Sequence, residues 1–152
     1  MDAPPSAQAR CPMCGRYASY LPHSEIAALF RTQGEIPNLG PNWNVAPAQP
    51  AMVARRHHET GERRLDVLRW RLVPHFTKDL KAARRPINAR AETVATSGMF
   101  RGAFASRRCL VPADACYAWN ATSDGKQPYA IARPGARWEG VNLVTRIARA
   151  RA

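Results

Sequence analysis

Acidic residues are scarce in this chain. It has 11 aspartates and glutamates against 23 lysines and arginines, a net charge of +12 over 152 residues. Such a surplus argues for a polyanionic partner, and tryptophans and tyrosines placed among arginines suit single-stranded nucleic acid, where guanidinium meets phosphate and rings stack on bases. A basic surface of this kind is also what an ordinary soluble protein of an arginine-rich proteome carries. No apolar run is long enough to span a bilayer, and the N-terminus has no apolar signal core, which excludes a membrane helix and a secretory leader and predicts a cytoplasmic protein. Four cysteines are too few for a disulfide framework in a chain of this length. Internal repeats and regular βαβ alternation are missing, which excludes solenoids and doubly wound sheets and leaves a single mixed α+β domain, mostly antiparallel strands with a few short helices.

The elements follow from the pattern. Residues 1–12 are small, polar and proline-bearing and read as a disordered leader; residues 13–133 form the domain. Ser24 is placed to cap a short helix through Thr32, with Ile26, Leu29 and Phe30 on one face and Gly34 as its stop. The proline-rich stretch 35–50 reads as an irregular loop in which Trp43 packs. A hairpin is expected over about 51–57 and 63–72, turning at Glu59-Thr60-Gly61-Glu62. A basic connector, 75–87, carries Lys78, Lys81, Arg84 and Arg85. Ser97 to Ser106 has the spacing of a helix with Met99, Phe100, Ala103 and Phe104 inward. Strands are expected at 108–112, 115–120 and 127–133, the last two joined at Ser123-Asp124-Gly125-Lys126.

Five motifs stand in order along this frame: Met13-Cys14-Gly15-Arg16-Tyr17, Trp43-Asn44-Val45-Ala46-Pro47, Leu68-Arg69-Trp70-Arg71-Leu72-Val73-Pro74, Asn88-Ala89-Arg90-Ala91-Glu92-Thr93 and Arg108-Cys109-Leu110-Val111-Pro112-Ala113-Asp114. Together they resemble the SOS-response-associated peptidase (SRAP) family of abasic-site processing proteins, over Met13 to about Arg133. Cys14 carries the chemistry. Exposed as the N-terminal residue, it presents a thiol and an α-amine on one carbon, and the amine, with an ordinary pKa of about 7.7–8.0, is partly unprotonated at neutrality. The amine can form a Schiff base with an aldehyde and the thiolate can then close a thiazolidine.

The resemblance implies a set of site residues. Cys14 crosslinks the ring-opened abasic sugar in single-stranded DNA, and self-cleavage exposes it. Asn88 sits beside the cysteine terminus, with an amide able to both donate and accept. Arg90 grips a flanking phosphate, and Arg16 is a second phosphate candidate. Trp70 and Trp119 are candidates for stacking on bases. Each has a plainer reading, as a turn cap, a surface arginine or a core tryptophan. Two departures stand out. Where the family has tyrosine-glutamate-tryptophan, this chain has Tyr117-Ala118-Trp119, so the acid/base glutamate is replaced. The family's later histidine has no counterpart either, since His23, His57, His58 and His75 all lie earlier and match no motif.

From about Pro134 the chain turns Arg-, Ala- and Gly-rich, and 134–152 reads as an atypical tail at a truncation or frame disruption. Strand 127–133 would then expose an unpaired edge. Cys11-Pro12-Met13-Cys14 spells C-x-x-C, yet Cys109 and Cys116 are poorly spaced to complete a zinc knuckle, so no metal and no cofactor are expected. The reading is an abasic-site sensor acting as a monomer on single-stranded DNA, its catalysis impaired at Ala118. A non-catalytic single-stranded nucleic-acid-binding module and a degraded gene product are the alternatives.

Overall fold

The computed structural model describes residues 15–74, 76–79 and 86–132. The elements run β1 (Tyr17–Ser19), α1 (His23–Phe30), β2 (Asn42–Val45), β3 (Pro50–Arg56), β4 (Arg63–Arg69), α2 (Arg101–Ser106), β5 (Ala115–Thr122) and β6 (Gly125–Ile131). β2, β1, β5 and β6 form one sheet in that spatial order, and β3 and β4 form a separate hairpin. Every strand pair among the described residues is antiparallel, in keeping with the α+β expectation.

The β3–β4 hairpin is the centre of the molecule. Ala51-Met52-Val53-Ala54 is an unbroken apolar run, and all four residues are buried. Such a run marks a strand covered on both faces rather than one. Ala51 and Val53 point to the main core, with Leu68 on β4, Tyr17 on β1 and Val45 on β2. Met52 and Ala54 point the other way, where Leu65 and Ile26 of α1 close a second core. α1 lies there because Ile26 alone of its apolar residues is fully buried; Leu29, expected on the buried face, is 41% exposed.

Several local expectations shift for identifiable reasons. Pro22 stands at the N-cap of α1, its carbonyl accepting from Glu25 and Ile26 N–H at 3.0 and 3.2 Å, so Ser24 falls inside the helix. The helix ends at Arg31, which takes the left-handed conformation at φ 50°, three residues before Gly34. The proline-rich stretch contains a strand, β2, because its Asn42–Val45 segment pairs with β1. Expected strand 108–112 contracts to isolated bridging at Leu110 and Val111, where Leu110 and Ala54 exchange both backbone hydrogen bonds at 2.8 and 2.9 Å. The second hairpin forms with Gly125 at φ 126°, a backbone region glycine enters without a Cβ clash. No helix among the described residues is long and apolar enough to cross a membrane.

Candidate nucleic-acid interface

The two faces of the four-stranded sheet differ in kind. Tyr17 pairs with Cys116 and with Val45, and these three side chains face the main core. Ser19 pairs with Asn42 two residues on, so β2 carries one residue too many between these pairs. Trp43 and Asn44 together stand opposite Ala18. A bulge of this type re-aims side chains locally, and here it puts both residues on the outer face. Three contacts fix that placement. The Trp43 ring stacks on Tyr20, with centroids 4.0 Å apart and planes 18° from parallel. Tyr117 reaches across β1 and donates its hydroxyl to the Trp43 carbonyl at 2.7 Å. Arg16 Nη1 donates to Asn44 Oδ1 at 3.2 Å.

Register also orders β5. Tyr117 N donates to Arg16 O at 3.1 Å, continuing the β1–β5 ladder toward the chain start. The next step of that register sets Ala118 opposite Gly15. Ala118 shares its face with Cys116, whereas Tyr117 and Trp119 share the outer face, since alternate strand residues point the same way. Asp114 anchors the start of β5: its Oδ2 accepts from Tyr20 and Leu21 N–H at 2.6 and 3.1 Å, and its own N–H donates to Ala18 O at 2.8 Å.

The residues singled out in the sequence land in different environments. Cys14 lies outside the described residues. Arg16 is half-buried at the head of β1, and Trp119 is 41% exposed on the outer face. Asn88 and Arg90 are exposed on the segment entering the 91–100 turns, which runs beside Leu72 because Leu72 N donates to Pro86 O at 3.1 Å. The hydrogen bonds of the described residues join Arg16 to Asn44, not to Asn88 or Arg90. Lys78 is described, while Lys81, Arg84 and Arg85 lie outside. Among the described residues no cluster of His, Cys, Asp and Glu is placed to hold a metal ion.

Trp70 requires a correction. It is 3% exposed, packed edge-on against Tyr17 at 5.1 Å between centroids. Its backbone is pinned beyond β4 by Trp70 N to Gln49 O and Ala48 N to Trp70 O, both 2.9 Å. A ring enclosed this way has no face for a base. Trp43 is the reverse case: expected to pack in a loop, it is 62% exposed on a strand. The clue was its setting, Asn42-Trp43-Asn44, an aromatic between two polar residues of a β-forming stretch.

Among the described residues, two groups have shifted titration. Burial pushes the Tyr17 phenol far above its ordinary value, and the nearby Cys109 and Cys116 thiols push the same way. Its hydroxyl, like Trp70 Nε1, has no hydrogen-bond partner among the described residues. Hydrogen bonds from Arg64 and then Thr60 lower the Glu62 carboxyl, at the solvent-exposed end of the β3–β4 hairpin.

The family profile for the SOS response associated peptidase (SRAP) matches residues 13–143. The chain belongs to the SRAP family. Its relatives include the abasic site processing protein YoqW of Bacillus subtilis, 37% identical over 109 residues, covering 70% of this chain and 48% of the relative. The abasic site processing protein YedK of Escherichia coli is 32% identical over 127 residues, covering 80% of this chain and 54% of YedK. Among solved structures, a phage-related protein from Bordetella bronchiseptica superposes with a TM-score of 0.64 at 25% identity, covering 89% of this chain and 68% of that one. This SRAP chain thus spans about half the length of the curated relatives it matches.

Proposed function

We propose that this SRAP chain captures abasic sites in single-stranded DNA through Cys14, as a crosslinking sensor with impaired acid/base catalysis. The observation that carries the reading is the start of the family match at Met13, immediately before Cys14. The α-amine of a terminal Cys14 attacks the aldehyde carbon of the opened sugar, and water leaves as the imine forms. The thiolate sulfur then adds to the imine carbon. That step closes the thiazolidine, and the nitrogen keeps a proton. Asn88 would hold the amine or the opened sugar, and Arg90 a flanking phosphate.

The replacement of glutamate by Ala118 bears on rate. Ala118 occupies the place of the family's glutamate in Tyr117-Ala118-Trp119, and the reading assigns to a carboxylate there the proton transfers of imine formation. Losing a positioned acid/base costs about 10²–10⁴ in rate. Capture by the thiol and amine themselves persists, slowly.

The test is incubation with an oligonucleotide carrying one abasic site, read on a denaturing gel over time. The chain as given is expected to shift slowly, Ala118→Glu faster, and Cys14→Ala not at all. Intact-mass analysis of protein from its own gene is expected to show Cys14 as the first residue. Retention of residues 1–12 in every molecule sinks the crosslinking reading. A folded Ala118→Glu protein with no gain in rate removes Ala118 from the site. The alternative, a non-catalytic single-strand-binding module, draws on the exposed aromatic face of the sheet and requires binding without any Cys14-dependent shift.

A further inference from the structure

We infer that the outer face of the β2-β1-β5-β6 sheet is a stacking platform for unpaired nucleobases, with Trp43 as its principal contact. This rests on the reading that the partner is single-stranded DNA, and it extends that partner's path from the abasic residue onto the neighbouring intact nucleotides.

Three observations converge on this face. First, its large rings are uncovered: Trp43 is 62%, Trp119 41% and Tyr20 37% exposed. Second, Trp43 is pre-set. Tyr20 lies against one side of its ring, Tyr117 holds its carbonyl, and the bulge fixes its backbone on an otherwise paired strand. A ring already held in place loses little freedom when a base stacks on its open side. Third, the charge fits a polyanion. None of the four strands contains an aspartate or glutamate. Arg16 stands on the same face, held among the described residues by the neutral amide of Asn44 rather than by a carboxylate, which leaves its positive charge to a phosphate. Flat rings beside an uncompensated guanidinium are the chemistry of sequence-tolerant single-strand binding. The face also adjoins the segment leading to Cys14, because Arg16 is only two residues beyond it. A strand held at Arg16 is therefore held two residues from Cys14 along the chain.

The experiment measures fluorescence anisotropy of a labelled oligothymidine without an abasic site, against the full chain and its variants, at fixed salt. Trp43→Ala is expected to weaken binding roughly 5- to 150-fold, the range for losing one stacked base. Trp43→Phe, which keeps a flat ring, is expected to recover most of that loss. Ile36→Ala, an exposed residue of the loop after α1, is expected to bind as the parent does. The salt slope separates the roles: Trp43→Ala leaves it unchanged, while Arg16→Ala lowers it by about 0.7. Circular dichroism checks that each variant is folded.

Parent-like affinity in a folded Trp43→Ala protein overturns the proposal. So does a concentration-dependent dimer that Trp43→Ala abolishes while DNA binding is unaffected, since the face would then serve a second copy of the chain. Failure of abasic-site capture is told apart from failure of the platform. Trp43-dependent binding of the intact strand without any Cys14 crosslink leaves the platform standing and removes the capture reading. A Cys14 crosslink with Trp43-independent binding does the opposite. A parent chain that binds no single strand removes both.

Discussion

Burial decides what each aromatic residue can do. Trp70 and Trp43 look alike in the sequence, each between two polar residues, yet one is 3% and the other 62% exposed. Their stabilities on truncation should differ accordingly. Trp70→Ala empties the main core and is expected to cost about 3–5 kcal/mol, whereas Trp43→Ala should move the urea midpoint little; equal midpoints would contradict this placement. Tyr17 makes a sharper case. Its hydroxyl is buried with no partner among the described residues, and an orphaned polar group in a core costs about 1–3 kcal/mol. Tyr17→Phe removes only that oxygen and is expected to leave stability at pH 7 equal or higher. The pH dependence has a definite sign. Because burial raises the folded phenol above its ordinary value of 10.0, the unfolded chain ionises first as pH rises. The contribution of the neutral phenol is therefore intact below pH 10.0 and is lost above it. Denaturant titrations between neutral and strongly alkaline pH should show a falling limb in the parent that is shallower in Tyr17→Phe.

At the scale of elements, the two hairpins were legible because their signals are local. Glu59-Thr60-Gly61-Glu62 and Ser123-Asp124-Gly125-Lys126 are turn chemistry between apolar runs, and the β3–β4 and β5–β6 ladders follow from them. The position of β2 was not legible. It is set by pairing with β1 across more than twenty residues and by a bulge, and a slip of one residue turns every side chain to the other face. That long-range register is why the sequence alone points Trp43 to packing and leaves Trp70, held by Gln49 and Ala48, among the stacking candidates. For the same reason the role of Asp114 could not be read from its neighbours in sequence. Its two hydrogen bonds tie the end of β1 to the start of β5. Asp114→Ala, which orphans both N–H groups, is expected to destabilise by about 2 kcal/mol in urea melts. β6 poses the opposite problem. Every residue of it is exposed, and among the described residues it lies at the edge of its sheet. Pro128 and Lys126 are the features on it that oppose further pairing, one by lacking an N–H and the other by charge. Pro128→Val is expected to raise light scattering on incubation at micromolar concentration, and unchanged scattering would mean that the edge is already protected by something else.

The whole molecule is a basic body, and under the proposed function its charge should be visible in how it holds DNA. With +12 over the chain, attraction to a single strand has two possible sources: a diffuse field, or phosphates gripped by particular guanidinium groups. These differ in salt dependence. A gripped phosphate releases its counterion on binding, so each contact adds about −0.7 to the slope of log affinity against log salt for a single strand. A diffuse field distributes the same loss over every charge removed. Arg90 and Arg31 separate the two. Both are exposed, but Arg90 lies on the segment beside Asn88, whereas Arg31 caps α1 behind the β3–β4 hairpin. If the strand is held at Arg90, Arg90→Ala should weaken binding and flatten the slope by about 0.7, while Arg31→Ala changes neither beyond a small uniform loss. The measurement is oligothymidine affinity at several sodium chloride concentrations, with both variants folded by circular dichroism. Identical slopes for the two variants would assign the affinity to the overall field and remove Arg90 from the list of phosphate ligands, leaving Arg16 and the aromatic face to position the strand.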